Sequence, residues 1–78
     1  MSYYKKLLKL GLNIVYYRKY KFLTQEQLAE KADISTSFVA KIENPNIFVG
    51  ITFEKLCKIA GALDINEMDL LDFRTEQN

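Results

Sequence analysis

Residues 24–44 read TQEQLAEKADISTSFVAKIEN, and the fold prediction starts from this segment. Thr24 and Gln27 have the spacing of a capping box, in which two side chains bond reciprocally to backbone N–H groups at the start of a helix. Ser35 is a natural N-cap for a second helix. That helix ends before Pro45, because the residue preceding a proline is pushed out of the helical region. The segment therefore predicts two short helices in succession.

The break between these two helices is short, because only residues 33–35 separate them. The first helix carries a small residue, Ala29, near its centre, as two helices crossing at close range require. Both helices have an apolar stripe, formed by Leu28, Ala29 and Ala32 in the first and by Phe38, Val39 and Ile42 in the second. This pattern indicates a helix-turn-helix, although a generic helical hairpin remains an alternative at this point.

Helical periodicity continues on both sides of the segment. Residues 4–20 are good helix formers with apolar side chains three and four positions apart, namely Leu7, Leu10, Ile14 and Tyr17. A fourth helix is predicted to begin near Thr52, with an apolar face of Phe53, Leu56, Ile59, Ala60 and Leu63.

The C-terminal part contains one more short helix. After a break at 64–66, it is predicted to run from Glu67 to about Phe73. No strand is predicted, and 78 residues amount to about half of a typical domain of ~150 residues. We therefore expect one compact all-α domain of five helices over residues 1–78, with a frayed tail at 75–78.

The composition excludes most classes of enzyme. The chain has no His, so it cannot build Ser-His-Asp or Cys-His arrangements or the usual metal-hydrolase sites. Its single cysteine, Cys57, can neither hold zinc alone nor close an internal disulfide, and we interpret it as a core or interface residue. With only three Gly, the chain has no glycine-rich phosphate-binding loop. We predict neither an enzyme nor a site for a metal, cofactor or small molecule.

Charge is distributed unevenly along the chain. Residues 1–21 contain six basic and no acidic side chains, whereas the remainder is net acidic and the whole chain has a formal net charge of +1. Such an asymmetry gives the electric field a direction that can steer a polyanion onto one face. An ordinary solvated helix surface is the alternative. Because no apolar run is long enough to span a bilayer, a cytoplasmic protein is predicted.

The helix-turn-helix segment and its flanks together resemble a known family. The matching positions are Arg18, Thr24-Gln25, Leu28-Ala29, Ala32, Ser35, Phe38-Val39, Ile42-Glu43-Asn44, Leu56, Ile59-Ala60 and Leu63. In this register the chain resembles, over roughly residues 10–72, the Cro/CI-type (Xre, lambda-repressor-like) helix-turn-helix family. The resemblance implies a five-helix domain, a helix-turn-helix at about 24–44, and a transcriptional regulator of repressor or controller type that binds operator DNA as a dimer.

The resemblance also implies which residues contact double-stranded DNA. Gln25 and the N-terminus of its helix would meet a phosphate. Ser35, Thr36 and Ser37 open the recognition helix, 36–43, whose N-terminal end contacts base edges in the major groove. These three side chains lack the bidentate geometry of Gln, Asn or Arg, so the sequence of the palindromic operator is not predicted.

Further along the recognition helix, Ala40 and Lys41 are expected to face the same way. Lys41 would bind a guanine edge or a flanking phosphate, and either Ala40 or the methyl group of Thr36 would meet a thymine methyl group. Asn44 and Asn46 would close on the DNA backbone from the following loop. Taken one at a time, Gln25 and Lys41 also fit a simpler interpretation as solvated surface residues.

Two structural features follow from the same register. Arg18 and Glu43 match a pair that forms a buried or half-buried ion bridge in the family, tying the first helix to the end of the third. Phe22, Asp33 and Pro45 stand where the family often has Gly. A left-handed backbone is unfavourable for Phe and impossible for Pro, so the paths of these loops remain open.

Surplus apolar residues in the C-terminal half predict a homodimer. The loop at 46–51 is unusually apolar, and the fifth helix is too short to bury all of its apolar side chains in its own core. The predicted dimer interface consists of Phe48, Ile51, Met68, Leu71 and Phe73. In the alternative, Phe48 and Ile51 fold back under the fourth helix and the chain is monomeric.

A second class of function fits the near-neutral net charge. In this class the helix-turn-helix is a protein-interaction module, such as an antitoxin or a coactivator-like adaptor. The polar, base-compatible opening Ser35-Thr36-Ser37 favours DNA binding instead.

Overall fold

Five α-helices make up the fold in a computed structural model that describes residues 2–74. They are α1 (Tyr3–Tyr20), α2 (Gln25–Ala32), α3 (Thr36–Glu43), α4 (Phe53–Leu63) and α5 (Glu67–Leu70). The described part of the chain contains no strand, so the predicted all-α architecture is confirmed. The tail at 75–78, which was predicted to fray, lies outside the described residues.

Every helix begins at a polar cap. The cap side chains that accept a hydrogen bond from a first-turn N–H are Ser2, Thr24, Ser35, Thr52 and Asn66. At α2 the capping box is complete, since Thr24 Oγ1 accepts from the Gln27 N–H at 3.0 Å and Gln27 Oε1 accepts from the Thr24 N–H at 2.8 Å. These bonds satisfy donors that have no partner within the helix, and they fix where α2 and α3 begin.

The core lies where the five helices meet. Its fully enclosed side chains are Ile14, Leu28, Val39, Ile59, Leu63 and Leu70. Helix α2 packs against both α3 and α4, while α1 packs against α3 and α5. Ala29 of α2 is buried, as a close crossing of α2 and α3 requires. Truncating one buried Leu typically costs about 2–5 kcal/mol. This is a large part of the ~5–15 kcal/mol by which a folded domain is stable, so packing in this core strongly favours one orientation of α3.

Gly11 allows α1 to approach α3 at very short range. A Cβ atom at this position would overlap the carbonyl oxygen of Ile42, in the last turn of α3. Gly in a helix interior is unfavourable by roughly 0.5–1 kcal/mol relative to Ala, so the helix crossing, and not helix propensity, accounts for it. The contact was not predicted, although a lone Gly within a run of helix-forming residues was an available signal.

The structure resolves the loop paths that the sequence left open. Phe22 and Asp33 are both left-handed, with φ angles of 59° and 57°, and Asp64 after α4 is similar at 58°. Pro45 cannot adopt this conformation. Instead, Asn44 leaves α3 with an extended backbone at φ −82° and ψ 117°. The chain thus takes the left-handed path even at Phe22, where it is unfavourable, and a different path after α3.

Two expectations about the C-terminal half were wrong. Phe53, predicted on the inner face of α4, is 74% exposed, because it is the first residue of the helix and helical side chains tilt toward the N-terminus, here beyond the core. Helix α5 was predicted to reach about Phe73 but ends at Leu70. The Asn13 side chain donates to the carbonyl oxygens of Leu70 at 2.9 Å and of Asp72 at 3.1 Å. The Asn13 amide therefore bonds the Leu70 carbonyl oxygen, which would accept a backbone N–H if the helix continued for another turn.

Candidate nucleic-acid interface

One buried ion pair joins three elements of the fold. Arg18, at the end of α1, binds the carboxylate of Glu43 at the end of α3, with Nε 2.7 Å from Oε2 and Nη2 2.9 Å from Oε1. The two side chains are only 11% and 4% exposed. Arg18 Nη1 also donates to the Leu23 carbonyl oxygen at 2.8 Å. Paired N–H···O bonds fix orientation as well as distance. The Arg18 side chain therefore fixes the relative positions of α1, the loop before α2 and the end of α3.

Gln25, in the first turn of α2, binds the same carboxylate. Its Nε2 donates to Glu43 Oε1 at 2.9 Å, so Glu43 accepts three hydrogen bonds in all. These bonds offset the desolvation of a buried charge. The residue predicted to contact a phosphate is thus half-buried, with one of its two amide N–H donors used internally. The second donor and the N-terminus of α2 are the groups there that can meet an anion.

The outer face of α3 is open to solvent. It exposes the side chains predicted to contact DNA, which are Ser35, Thr36, Ser37, Ala40 and Lys41. Ser37 and Lys41 are four residues apart and therefore lie one above the other on the same helix face. Ser35 caps the helix, since its Oγ accepts from the Phe38 N–H at 3.0 Å. Its hydroxyl proton can still be donated elsewhere, so capping does not preclude a DNA contact.

The inner face of α3 anchors the helix in the protein. Val39 and Ile42 are buried, as predicted. Phe38, also predicted to be buried, is only half-buried and lies under Lys55 of α4, whose Nζ is 4.3 Å from the ring centroid. A cation over an exposed aromatic ring contributes about 0.5–1 kcal/mol. This contact links α4 to the N-terminal half of α3 through one side-chain pair.

The turn after α3 presents two exposed amide side chains. Asn44 Oδ1 accepts from the Asn46 N–H at 2.9 Å, and the Asn44 carbonyl oxygen accepts from the Ile47 N–H at 3.1 Å. Both asparagines are exposed beside the end of α3. These bonds order the turn and leave the amide groups as donors, as the predicted contact with the DNA backbone needs.

The charges around α3 are compatible with a polyanion. Lys41 is exposed on α3, and Lys19 and Lys21 are exposed at the end of α1. The one carboxylate of α3, Glu43, is buried and paired with Arg18. The outer face of the helix therefore presents no anionic side chain that would repel a phosphate.

The residues predicted to form a dimer interface fall into two groups. Phe48 and Met68 are 56% and 71% exposed. The half-buried members, packed against the core, are Ile51, Leu71 and Phe73. The ring of Phe48 contacts Tyr4 edge-on, with 5.2 Å between the ring centroids. The predicted interface thus contains two exposed apolar side chains, while the other members are partly covered by the chain itself.

The described residues show no metal site or activated nucleophile. They contain no group of three or more His, Cys, Asp or Glu side chains arranged to hold a metal ion. Burial, followed by the proximity of Glu67, raises the pKa of the Cys57 thiol, which disfavours the reactive thiolate. None of the helices within 2–74 is both long and apolar enough to cross a membrane.

Comparison with known proteins finds matches to one family model and to several solved structures. Residues 13–76 match the family model described as the Cro/C1-type helix-turn-helix (HTH) DNA-binding domain. The chain is similar to the restriction-modification controller protein C.AhdI from Aeromonas hydrophila, with 31% identity, a TM-score of 0.76, and coverage of 82% of this chain and 94% of that one. It is also similar to the N-terminal DNA-binding domain of SinR from Bacillus subtilis, with 34% identity, a TM-score of 0.77, and coverage of 86% and 96%. No curated protein matches the chain.

A more distant similarity extends over more of the chain. The clp gene regulator ClgR from C. glutamicum is 22% identical, with a TM-score of 0.74 and coverage of 91% of this chain and 87% of that one. At this level of identity the match shows a shared fold. The Cro/C1-type match and the similar structures describe DNA-binding regulators and not enzymes.

Proposed function

The chain belongs to the Cro/C1-type HTH DNA-binding domain family, and we propose that it is a transcriptional regulator that binds operator DNA as a homodimer through α3. The observation that carries the proposal is the open outer face of α3, which bears no anionic side chain and is held in place by the buried bonds among Arg18, Gln25 and Glu43. Similarity to the controller protein C.AhdI and to the DNA-binding domain of SinR supports a DNA-binding regulator of repressor or controller type, and the first of these favours the controller type.

In the proposed complex α3 lies in the major groove with its N-terminal residues toward the base edges. The hydroxyl of Ser37 bonds a base edge, and the methyl group of Ala40 contacts a thymine methyl. Lys41 donates to a guanine edge or to a flanking phosphate. Because Ser and Thr make single hydrogen bonds, sequence selectivity is expected to come from several weak contacts together with the shape of the DNA.

Phosphate contacts fix the register of α3 in this arrangement. On one side, the free amide donor of Gln25 and the N-terminus of α2 bind one phosphate. On the other, the exposed amides of Asn44 and Asn46 bind the backbone next to the end of α3. The Gln25–Glu43 hydrogen bond at 2.9 Å connects the α2 contact to the end of α3, so a phosphate bound at α2 also positions the recognition helix.

The homodimer is proposed to form through the predicted interface, whose exposed apolar members are Phe48 and Met68. Met68 lines a cavity with Leu71 and Phe73, Phe48 lies against Tyr4 of α1, and exposed apolar side chains of this kind mark sites of association. A two-fold pairing would place two copies of α3 about 34–36 Å apart, matching half-sites one turn of DNA apart. The operator is therefore expected to be palindromic.

The proposal is tested by selecting duplexes from a random pool with the parent protein and then titrating two variants. Ala40→Glu places a carboxylate on the outer face of α3, where the side chain is exposed and the core is untouched. Gly61→Glu adds the same charge on α4, at an exposed position where an added Cβ atom meets nothing within 4 Å. We expect Ala40→Glu to lose at least about tenfold in affinity, or ~1.4 kcal/mol, and Gly61→Glu to bind like the parent.

Two outcomes would refute operator binding through α3. One is equal affinity of both variants for the selected duplex. The other is a parent protein that enriches no duplex from the pool, which would favour the protein-interaction module instead.

A further inference from the structure

Phe22 combines two unfavourable features on the surface next to α2. Its backbone is left-handed, with a φ angle of 59°, and its side chain is 93% exposed. The left-handed conformation is strained for a bulky residue, and a ring in water gains nothing from burial. Neither local backbone preference nor packing within the chain therefore accounts for an aromatic side chain here.

The backbone that carries this ring is held rigidly. The Phe22 N–H donates to the Lys19 carbonyl oxygen and the Leu23 N–H to that of Arg18, both at 3.0 Å. The Leu23 carbonyl oxygen in turn accepts from Arg18 Nη1 at 2.8 Å. Because its neighbours are bonded on both sides, the Cα and Cβ atoms of Phe22 are held at a fixed place on the surface.

The same bonds place Phe22 at the edge of the proposed DNA-binding surface. The Arg18 side chain that binds Leu23 also binds Glu43, the last residue of α3. Three residues after Phe22, Gln25 binds the same carboxylate. Phe22 is therefore rigidly connected to both the recognition helix and the proposed phosphate contact.

The charges beside Phe22 point to an anionic partner. The exposed side chains of Lys19 and Lys21 precede it in sequence, and no acidic residue occurs before Glu26. An apolar ring next to cations matches the backbone of DNA, in which phosphates alternate with apolar deoxyribose faces. Apolar side chains are used by many proteins that bind the minor groove of duplex DNA.

We infer that Phe22 contacts DNA directly, packing its ring against deoxyribose at the edge of the minor groove that flanks the half-site. Lys19 and Lys21 bind the adjacent phosphates. The contact raises affinity without reading bases, because the backbone carries no sequence information of its own. This inference rests on the proposed function and adds a second DNA-contacting segment, between α1 and α2, to the recognition helix.

The test is Phe22→Gly, which changes stability and DNA binding in opposite directions. Gly relieves the left-handed strain, so the thermal midpoint is expected to rise. The affinity for the selected duplex is expected to fall about fivefold, equivalent to losing the burial of roughly half an aromatic side chain. The dependence of affinity on salt is expected to stay the same, because a ring neutralises no phosphate, whereas Lys21→Ala reduces the slope by about 0.9.

Phe22→Leu is the matched control, because it keeps an apolar side chain, and it is expected to bind within about twofold of the parent. A Phe22→Gly protein that is more stable and binds as tightly as the parent would overturn the inference. If Ala40→Glu still loses affinity in that case, the proposed function stands and only the role of Phe22 is wrong. A parent protein that binds no duplex would overturn both the proposed function and the role of Phe22.

Discussion

Arg18 Nε lies 2.7 Å from Glu43 Oε2, and this pair connects the end of α1 to the end of the helix proposed to contact DNA. A buried ion pair is costly to break, because removing one partner leaves the other charge desolvated and unpaired. Gln25 binds the same carboxylate. The contacts that stabilise the fold are therefore the contacts that orient α2 and α3 for a nucleic acid.

Arg18→Ala is expected to reduce the free energy of unfolding by about 3–5 kcal/mol, since it leaves Glu43 buried without its cation. Urea denaturation measures this change. The matched control is Arg74→Ala, because Arg74 pairs with Asp72 at 2.8 Å but its side chain is 89% exposed. An exposed pair contributes no more than about 1 kcal/mol, so equal effects of the two substitutions would mean that the Arg18 pair is not buried in solution.

Ala substitutions at Gly11 and Gly61 are expected to change the stability of the fold in opposite directions. Gly11→Ala forces a Cβ against the Ile42 carbonyl oxygen and is expected to destabilise the fold by roughly 1–3 kcal/mol. Gly61→Ala meets open space and is expected to stabilise α4 by roughly 0.5–1 kcal/mol. Thermal melting of both variants checks the pair. A stabilising Gly11→Ala would show that α1 and α3 are not in close contact there.

The positions of the helices follow from local sequence, which is why they could be predicted. The capping box at Thr24 and Gln27, the Ser35 cap and the break at Pro45 each depend on residues only a few positions apart. The side chains on the outer face of α3 follow from the same local pattern, because burying Val39 and Ile42 turns the intervening positions outward.

Features that depend on distant residues were not accessible in the same way. The carbonyl oxygens at the end of α5 and just after it bond Asn13, which lies 57 residues before Leu70. The close contact at Gly11 depends on where Ile42 comes to lie in space. Arg18 and Glu43 are 25 residues apart, and only the family resemblance suggested pairing them. At Phe22 the local penalty was foreseen, but the hydrogen bonds that outweigh it were not.

If the homodimer forms as proposed, Asp substitutions at different exposed apolar residues have different effects on the oligomeric state. The parent is expected to sediment as a dimer at micromolar concentration, and Phe48→Asp and Met68→Asp to sediment as monomers, because a carboxylate in an apolar interface loses its hydration. Phe53→Asp is the control, since Phe53 is 74% exposed but lies outside the predicted interface. A monomeric parent would rule the interface out, as would a dimer that survives both of the first two substitutions.

Cys57 is expected to react slowly while the protein is folded. Burial and the proximity of Glu67 raise the pKa of its thiol, so at a given pH the folded chain holds less of the reactive thiolate than the unfolded chain. Alkylation by iodoacetamide at about pH 8 is therefore expected to be slower in buffer than in concentrated urea. A free model thiol measured under both conditions controls for the effect of urea on the reagent, and equal rates for the protein would show that Cys57 is not shielded.

The salt dependence of DNA affinity decides whether α3 binds DNA. The affinity of the selected duplex is measured at several salt concentrations for the parent, for Lys41→Ala, and for Lys58→Ala, whose side chain pairs with Glu54 on α4 at 3.5 Å. The logarithm of the parent's affinity is expected to fall linearly with the logarithm of salt concentration, at a moderate slope because few lysines reach the backbone. Lys41→Ala is expected to bind more weakly, with a slope reduced by up to about 0.9, and Lys58→Ala to match the parent. A slope near zero for the parent, or indistinguishable curves for all three proteins, would contradict DNA binding through α3.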